Sequence, residues 1–262
     1  MTQVWNRLLG WPGSLLLRKL DYLINLTTFA LFALKDWFQG IRFFSRHSYR
    51  PLVTQIIFTG IDAMPAILFL ALVTGFVFTF RIIALFESVT DTLSILIYII
   101  GLEVGPMIAA ITLISRTGTA ITVDIANMKL HREIQSMELM GMDINEYLIA
   151  PRILGVTISQ LVVAVYFTLI TLVTGILISG LLLTPTHYKL LFDITDNIEP
   201  VVLLIFVVKN ILFGLVIGST ACFHGLKVGK SPTEVPQQTQ RAIVNILVML
   251  FVIDGVVAML LL

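Results

Sequence analysis

The chain has 262 residues, of which 57% are hydrophobic and only 13% carry charge. A soluble domain has about 25% charged residues, so the composition places this chain among membrane proteins. The net charge of +1 gives no indication of a nucleic-acid partner, and the single cysteine, Cys222, excludes an internal disulfide and a multi-cysteine metal site. The first residues lack the features of a cleavable signal, so we expect the chain to begin in the cytoplasm.

The region before the first long apolar segment is predicted to lie on the membrane. Residues 14–44 have apolar side chains at helical spacing, but charges such as Arg18 and Lys35 interrupt them. The apolar run 20–34 is too short for a spanning helix, which needs about 20 mostly uncharged residues. We therefore predict an interfacial amphipathic helix, with Trp37 at headgroup depth. A short first span, which would invert the topology downstream, is the alternative.

Five long apolar segments follow, and each is predicted to be a membrane-spanning helix. They cover residues 52–80, 92–121, 151–183, 200–223 and 241–262. In the first, Asp62 and Pro65 predict a kink or a polar contact. The second is longer than the ~30 Å hydrocarbon core requires, so we expect it to protrude or to break at Gly105 and Pro106.

The distribution of lysine and arginine predicts the orientation. Thirteen of these residues lie in the N-terminal region and in the polar segments 123–152 and 224–241, whereas Arg81 and Lys189 alone lie in the other connections. We therefore expect the N-terminus and both polar segments in the cytoplasm and, with five spans, the C-terminus outside. The chain divides into two parts. These are residues 1–50, the cytoplasmic N-terminus with the interfacial helix, and residues 51–262, the membrane domain.

Residues 128–140, between the second and third spans, are predicted to form an amphipathic helix. Leu130, Ile134 and Met137 repeat at helical spacing, and charged side chains occupy the other face. This pattern is typical of a coupling helix that fits a groove on a soluble partner. The side chains predicted to contact the partner are Lys129, Arg132, Glu133, Met137, Glu138 and Met140. A helix packed flat under its own bundle explains the pattern equally well.

Three charged residues, Glu103, Lys209 and Asp254, lie within apolar helices. An unpaired charge there costs several kcal/mol, so such residues are candidate functional residues. Counting from the outer helix ends places all three roughly 12–16 Å deep, in one layer. We predict that Lys209 pairs with Glu103 or Asp254. The pair would either hold the bundle together or line a polar pocket.

Arg116 lies roughly 20 Å nearer to the cytoplasm than Glu103. We expect a structural role for it, either at the inner interface or as a cap on helix ends, with Gly118 allowing close helix approach beside it. The four histidines are scattered, and no nucleophile–base pair is evident. We therefore predict no catalytic residue, no metal and no cofactor.

The central stretch of the chain resembles the MlaE/YrbE family, the permease subunits of ABC transporters that work with MCE proteins. The similar segments are Glu103-Val104-Gly105-Pro106, Arg116-Thr117-Gly118-Thr119-Ala120, Met128-Lys129, 133–143, Tyr147-Leu148 and Pro151-Arg152. The resemblance continues more weakly at Lys209, Phe213-Gly214 and Asp254. Two departures are Leu102, where many members have an arginine, and Ser115, where they have a glycine.

The resemblance implies an all-helical permease of the bacterial inner membrane that dimerises, with a homodimer as the expected form. It implies that the dimer binds two copies of a cytoplasmic ATPase through the 128–140 helix, so ATP hydrolysis belongs to a separate subunit and this chain is not an enzyme. An MCE-domain protein is expected on the outer side, and a STAS-domain protein is a further expected partner of the ATPase.

The cargo that the resemblance implies is a lipid, typically a phospholipid, moved between the inner membrane and a periplasmic carrier. Glu103 would lie at a pocket open to the outer side, and depth suggests Phe76 and Phe80 as wall residues. A membrane scaffold that anchors a soluble complex without moving anything is the alternative function.

Overall fold

The computed structural model describes residues 21–22, 24–32, 35, 46–85, 97–182, 200–229 and 231–261. Within these ranges all regular elements are helical and no strand occurs. Five of the helices are long and apolar enough to cross a membrane, which confirms the predicted all-α, five-span architecture in outline. Most of the predicted interfacial helix lies outside the described residues, so that prediction remains open.

The α-helices in the described part of the chain are α1 (Arg46–Thr59), α2 (Met64–Leu85), α3 (Gly105–Leu113), α4 (Thr119–Leu130), α5 (Glu133–Leu139), α6 (Ala150–Leu182), α7 (Pro200–Lys227) and α8 (Glu234–Leu261). A 3-10 turn, Ile61–Ala63, separates α1 from α2, and wider π-helical turns precede α3, α4 and α6 at Ile97–Val104, Ile114–Gly118 and Asn145–Ile149. The candidate spans one to five are Arg50–Phe78, Tyr98–Leu130, Asn145–Ile178, Pro200–Lys227 and Glu234–Met259.

The first span shows the polar contact that its polar residues predict, at a point where a 3-10 turn interrupts the helix. Asp62 lies in the 3-10 turn that interrupts the helix. Its carboxylate also forms an ion pair with Arg116, with 3.5 Å between Oδ2 and Nη2. Pro65 falls at the start of α2, where its missing N–H costs no hydrogen bond.

The second span is continuous, so of the two predicted alternatives, protrusion or a break at Gly105 and Pro106, the break does not occur. The backbone changes there from a π-helical turn to α3, and Pro106 occupies one of the first positions of α3. A proline is tolerated at that position because the N–H it lacks has no acceptor within the helix. The span Tyr98–Leu130 has 33 residues and is therefore about 50 Å long, so it extends beyond the hydrocarbon core.

The predicted single helix over 128–140 is also wrong. Helix α4 continues to Leu130, the chain turns at His131 and Arg132, and α5 then begins at Glu133. Arg132 has a φ of 61°, a left-handed conformation, so the chain changes direction between α4 and α5. Lys129 consequently belongs to the spanning helix, where its ammonium donates a hydrogen bond to the carbonyl of Leu226.

The connection between the fourth and fifth spans is shorter than predicted. Helix α7 extends to Lys227 and α8 already begins at Glu234, so six residues remain between them. The Glu234 carboxylate accepts a hydrogen bond of 2.7 Å from the Gly229 N–H, which draws the two helix ends together. Polar residues in the first turns of α8 are compatible with a helix that extends past the membrane surface.

Helix α6 is the centre of the bundle and packs against α1, α2, α3 and α7. Its contact with α7 is close because Gly214 and Gly218 of α7 face it. A Cβ added at Gly218 would lie 2.8 Å from the Ile153 Cα. At Gly118, by contrast, the nearest atoms would be 3.8 Å away, which is an ordinary contact. Helices therefore do not approach unusually closely at Gly118, contrary to the prediction, but do so between α6 and α7.

Candidate functional site

The α6–α7 contact holds Lys209 of α7 in the middle of the bundle. Lys209 is fully buried, and its Nζ lies 2.6 Å from the Leu102 carbonyl oxygen, 3.0 Å from Glu103 Oε2 and 2.5 Å from Asp254 Oδ1. Two of the three N–H groups of the ammonium donate hydrogen bonds, to the Leu102 carbonyl and to Glu103, and the contact with Asp254 is an ion pair. The predicted pairing of Lys209 with Glu103 or Asp254 is confirmed, and both carboxylates take part. We call these three residues the ion cluster.

The ion cluster joins the second, fourth and fifth spans and presents its carboxylates outward. The Lys209 side chain has no exposed surface, whereas those of Glu103 and Asp254 are 36% and 21% exposed. Two carboxylates against one ammonium leave an excess of one negative charge when all are ionised. The arrangement therefore presents hydrogen-bond acceptors at an apolar surface, and it contains no nucleophile–base pair.

Two buried amides extend this polar layer to the third span. Gln160 of α6 donates hydrogen bonds to Asn210 Oδ1 at 3.0 Å and to the Pro106 carbonyl at 3.3 Å. Asn210 donates to the Phe206 carbonyl at 2.9 Å. Neither amide is among the residues that the sequence predicts for this layer. The signal was available, since a buried amide requires hydrogen-bond partners and each lies in an apolar segment.

The remaining candidate residues of the first and second spans are Arg116, Phe76 and Phe80. Arg116 contacts Asp62 and lies 5.5 Å from the Phe58 ring centroid, so it joins two spans and does not cap a helix end. Phe76 and Phe80 are half-exposed on α2, with ring centroids 6.0 Å apart. Their role as pocket walls remains a prediction.

Gly105 is explained by packing. A Cβ at this position would collide with the Thr168 side chain of α6 and crowd the Ile100 carbonyl. The glycine therefore allows the second span to approach the third beside the polar layer, which is consistent with the structural role predicted for it. Glu103 lies two residues earlier in the chain, so the same close contact helps to fix its position.

The described part of the N-terminal region packs on the ends of α7 and α8. The Tyr22 hydroxyl lies 3.0 Å from His224 Nε2, and Phe29 contacts Phe223 with 5.7 Å between ring centroids. Burial raises the pKa of Tyr22, so its hydroxyl keeps its proton. The Asn245 amide also lies 3.1 Å from His224 Nε2, so this nitrogen acts as an acceptor. Residues that precede the first span thus contact the last two.

A family model described as permease MlaE matches residues 52–260. The chain belongs to the MlaE permease family. A Rickettsia prowazekii protein named "Probable ABC transporter permease protein RP096" is 22% identical over 197 residues, which cover 74% of this chain and 76% of that protein. A Synechocystis protein with a similar name is 23% identical over 212 residues, covering 79% and 80% respectively.

The name of a third relative includes the name of a lipid. The Arabidopsis thaliana chloroplast protein TRIGALACTOSYLDIACYLGLYCEROL 1 is 24% identical over 217 residues, covering 80% of this chain and 61% of that protein. The family membership makes this MlaE-family chain the membrane component of an ABC transporter, which implies an ATPase partner.

The segment around α5 is exposed in this MlaE-family permease. Ile134 is buried and Met137 is half-buried, whereas Glu133 and Glu138 are exposed. Met140, directly after α5, has 65% of its surface exposed. Beside α5 lies a cavity of about 1000 Å³, whose walls include residues of α4, α5 and the turn before α6. The segment is thus available for contact, and its role in coupling remains a prediction.

Proposed function

We propose that this MlaE-family permease moves a lipid, most simply a phospholipid, between the inner membrane and a periplasmic MCE-protein carrier. The observation that carries the proposal is the ion cluster. It places partly exposed carboxylates of Glu103 and Asp254 in an otherwise apolar helical surface. A surface with one polar spot among apolar groups suits an amphiphile, which has a polar headgroup and apolar chains. The lipid name of the Arabidopsis relative supports this cargo class.

The partners follow from the family and from the exposed α5 segment. The ATPase is proposed to dock on α5 and its flanks. Docked there, it would contact Lys129, Arg132, Glu133, Met137, Glu138 and Met140. An exposed helix with acidic and methionine side chains is suited to a groove on a soluble protein. The homodimer, the MCE protein on the outer side and the STAS-domain protein are proposed on the family resemblance.

The proposed orientation places α5 in the cytoplasm and the C-terminus in the periplasm of a bacterial inner membrane. The asymmetry of lysine and arginine supports it. The proposal is also compatible with the length of the second span, which exceeds the thickness of the hydrocarbon core. In this orientation α5 lies at the cytoplasmic side of the membrane, and the ion cluster lies in the outer half of the bilayer.

The test is Glu138→Lys in the transporter purified with its native partners. We expect at least a tenfold loss of ATPase co-purification and of ATP-dependent lipid transfer between proteoliposomes and the carrier. Gln237→Lys is the control, because it also introduces a lysine at an exposed position at the α5 end of the bundle, outside α5, with a charge change of +1 where Glu138→Lys gives +2. Mass spectrometry of the wild-type complex identifies the co-purified proteins and lipids.

The same experiment separates a permease from a membrane scaffold. If Glu138→Lys abolishes ATPase binding while lipid transfer continues, the permease function proposed here is wrong. If the wild-type complex hydrolyses ATP but transfers no lipid, the chain acts as a scaffold or moves another cargo.

A further inference from the structure

A second groove lies at the α5 end of the bundle, between α1, α4 and the start of α6. It has a volume of about 850 Å³, and its lining includes Arg50, Asp124 and Arg152. Arg152 lies eight residues before Gln160 on α6, so the groove is roughly 12 Å away from the polar layer along this helix. It is therefore separate from the ion cluster.

Two arginines give this groove an excess of positive charge. Arg50 is exposed at the start of the first span. Arg152 forms an ion pair of 2.5 Å with Asp124 through Nη2, but its Nη1 is buried and has no hydrogen-bond partner. Two guanidinium groups against one carboxylate leave a net charge of +1. An unpartnered buried N–H donor is costly, so an anionic group that reached it would be stabilised.

The remaining walls of the groove combine hydroxyl groups with apolar side chains. Thr54 and Tyr147 supply hydroxyl groups, whereas Phe58, Ile121 and Leu148 supply apolar surface. An inorganic anion or a soluble phosphate ester would use the charges and leave the apolar walls without a partner. A molecule with a phosphate and acyl chains would use both.

We propose that this groove binds the phosphate of an anionic phospholipid from the cytoplasmic leaflet. The net positive charge favours an anionic headgroup over a zwitterionic one, and the groove lies where the first and third spans begin. The inference rests on the orientation given in the proposed function, because the headgroup must be at the cytoplasmic surface.

The test is native mass spectrometry of the full-length protein in detergent, titrated with phosphatidylglycerol, phosphatidylethanolamine or phosphatidylcholine. We expect saturable binding of phosphatidylglycerol that is roughly fivefold weaker in Arg50→Gln, since a basic residue near the membrane contributes about 1 kcal/mol. Arg50→Lys keeps the charge and should retain binding within about twofold. Arg81→Gln, at an exposed position beyond the other end of the first span, should change nothing.

Tyr147→Phe is a second variant that removes one hydroxyl from the groove and keeps the ring, and we expect it to weaken binding about threefold. The inference is overturned if phosphatidylcholine binds as tightly as phosphatidylglycerol, or if Arg50→Gln behaves like Arg81→Gln. Displacement by millimolar glycerol 3-phosphate would instead show that the ligand is a soluble phosphate. The assay contains no ATPase or carrier, so failure of lipid transfer in the proposed function leaves its outcome unaffected.

Discussion

A lysine within an apolar bundle is stable only when each N–H of its ammonium has an acceptor. Lys209 donates hydrogen bonds to the Leu102 carbonyl and the Glu103 carboxylate and forms an ion pair with Asp254. These three partners come from two other spans. A single side chain therefore links three membrane helices, and its removal would leave two carboxylates facing each other.

We expect Lys209→Met to lower the free energy of unfolding by about 2–3 kcal/mol, because it leaves buried charge without its partner. The value is below the roughly 3–5 kcal/mol typical of a broken buried pair, because Glu103 and Asp254 are partly exposed. Thermal unfolding in detergent, followed by far-UV circular dichroism, measures the loss. An unchanged stability would contradict the role of Lys209 as the link between the spans.

A charge-free variant separates structural pairing from a role in transport. The triple variant Lys209→Met, Glu103→Gln, Asp254→Asn should regain most of the lost stability, because neutral side chains of similar size do not carry the desolvation cost of the ions. If lipid transfer returns with stability, the ion cluster is structural. If the triple variant is stable but inactive, the carboxylates act on the cargo.

The ion cluster could be predicted from the sequence because three charges in apolar segments must find partners, and their depths follow from counting residues. The amides of Gln160 and Asn210 were missed because a buried amide costs less than a buried charge and stands out less in a sequence. That Lys209 contacts both carboxylates depends on how three helices pack. Local patterns do not specify this packing.

At the scale of elements, the α6–α7 contact positions the ion cluster. Gly218 faces α6 so closely that a Cβ would lie 2.8 Å from the Ile153 Cα, whereas Gly255 of α8 has no atom within 4 Å of such a Cβ. We expect Gly218→Ala to cost about 1–3 kcal/mol of stability through forced separation of the helices. Gly255→Ala, the matched control, should cost nothing, because alanine favours helix more than glycine does. Equal effects in thermal unfolding would contradict this account of the packing.

The N-terminal region gives a second prediction for an element. Tyr22→Phe removes the hydroxyl that contacts His224, a loss of about 1 kcal/mol. We expect roughly fivefold faster hydrogen exchange of the backbone amides in residues 24–32, with no change in the spans. Tyr98→Phe is the control, because Tyr98 is exposed at the far end of the second span. Equal exchange in both variants would contradict a docking role for Tyr22.

Periodicity predicted the spans well but not the elements between them. The apolar repeat around Leu130 and Ile134 fits a single helix as well as two, because both have the same spacing. The turn arises from the left-handed backbone of Arg132. The hydrogen bond of Lys129 to Leu226 then holds the end of α4 against α7. Such contacts join residues that are distant in sequence, so no local sequence pattern predicts them.

At the scale of the whole molecule, the second span connects the two proposed functional ends. It carries Glu103 in the ion cluster and Lys129 beside α5, and these residues are roughly 40 Å apart along a continuous helix. A displacement of α5 by a bound ATPase would act directly on this helix. π-helical turns often occur at functional sites, and the one at Ile114–Gly118 lies between the two ends.

The placement of α5 and the ion cluster toward opposite sides of the membrane depends on the orientation of the chain. Cysteine labelling tests this orientation. Cys222 is fully buried, so the native chain should not react with an impermeant maleimide. We expect Arg81→Cys, just beyond the first span, to be labelled in intact spheroplasts. Ser136→Cys on α5 should be labelled only after the membrane is opened, because both positions are exposed but lie on opposite sides. Labelling of Ser136→Cys in intact spheroplasts would contradict the positive-inside assignment, and with it the cytoplasmic position of the phospholipid groove.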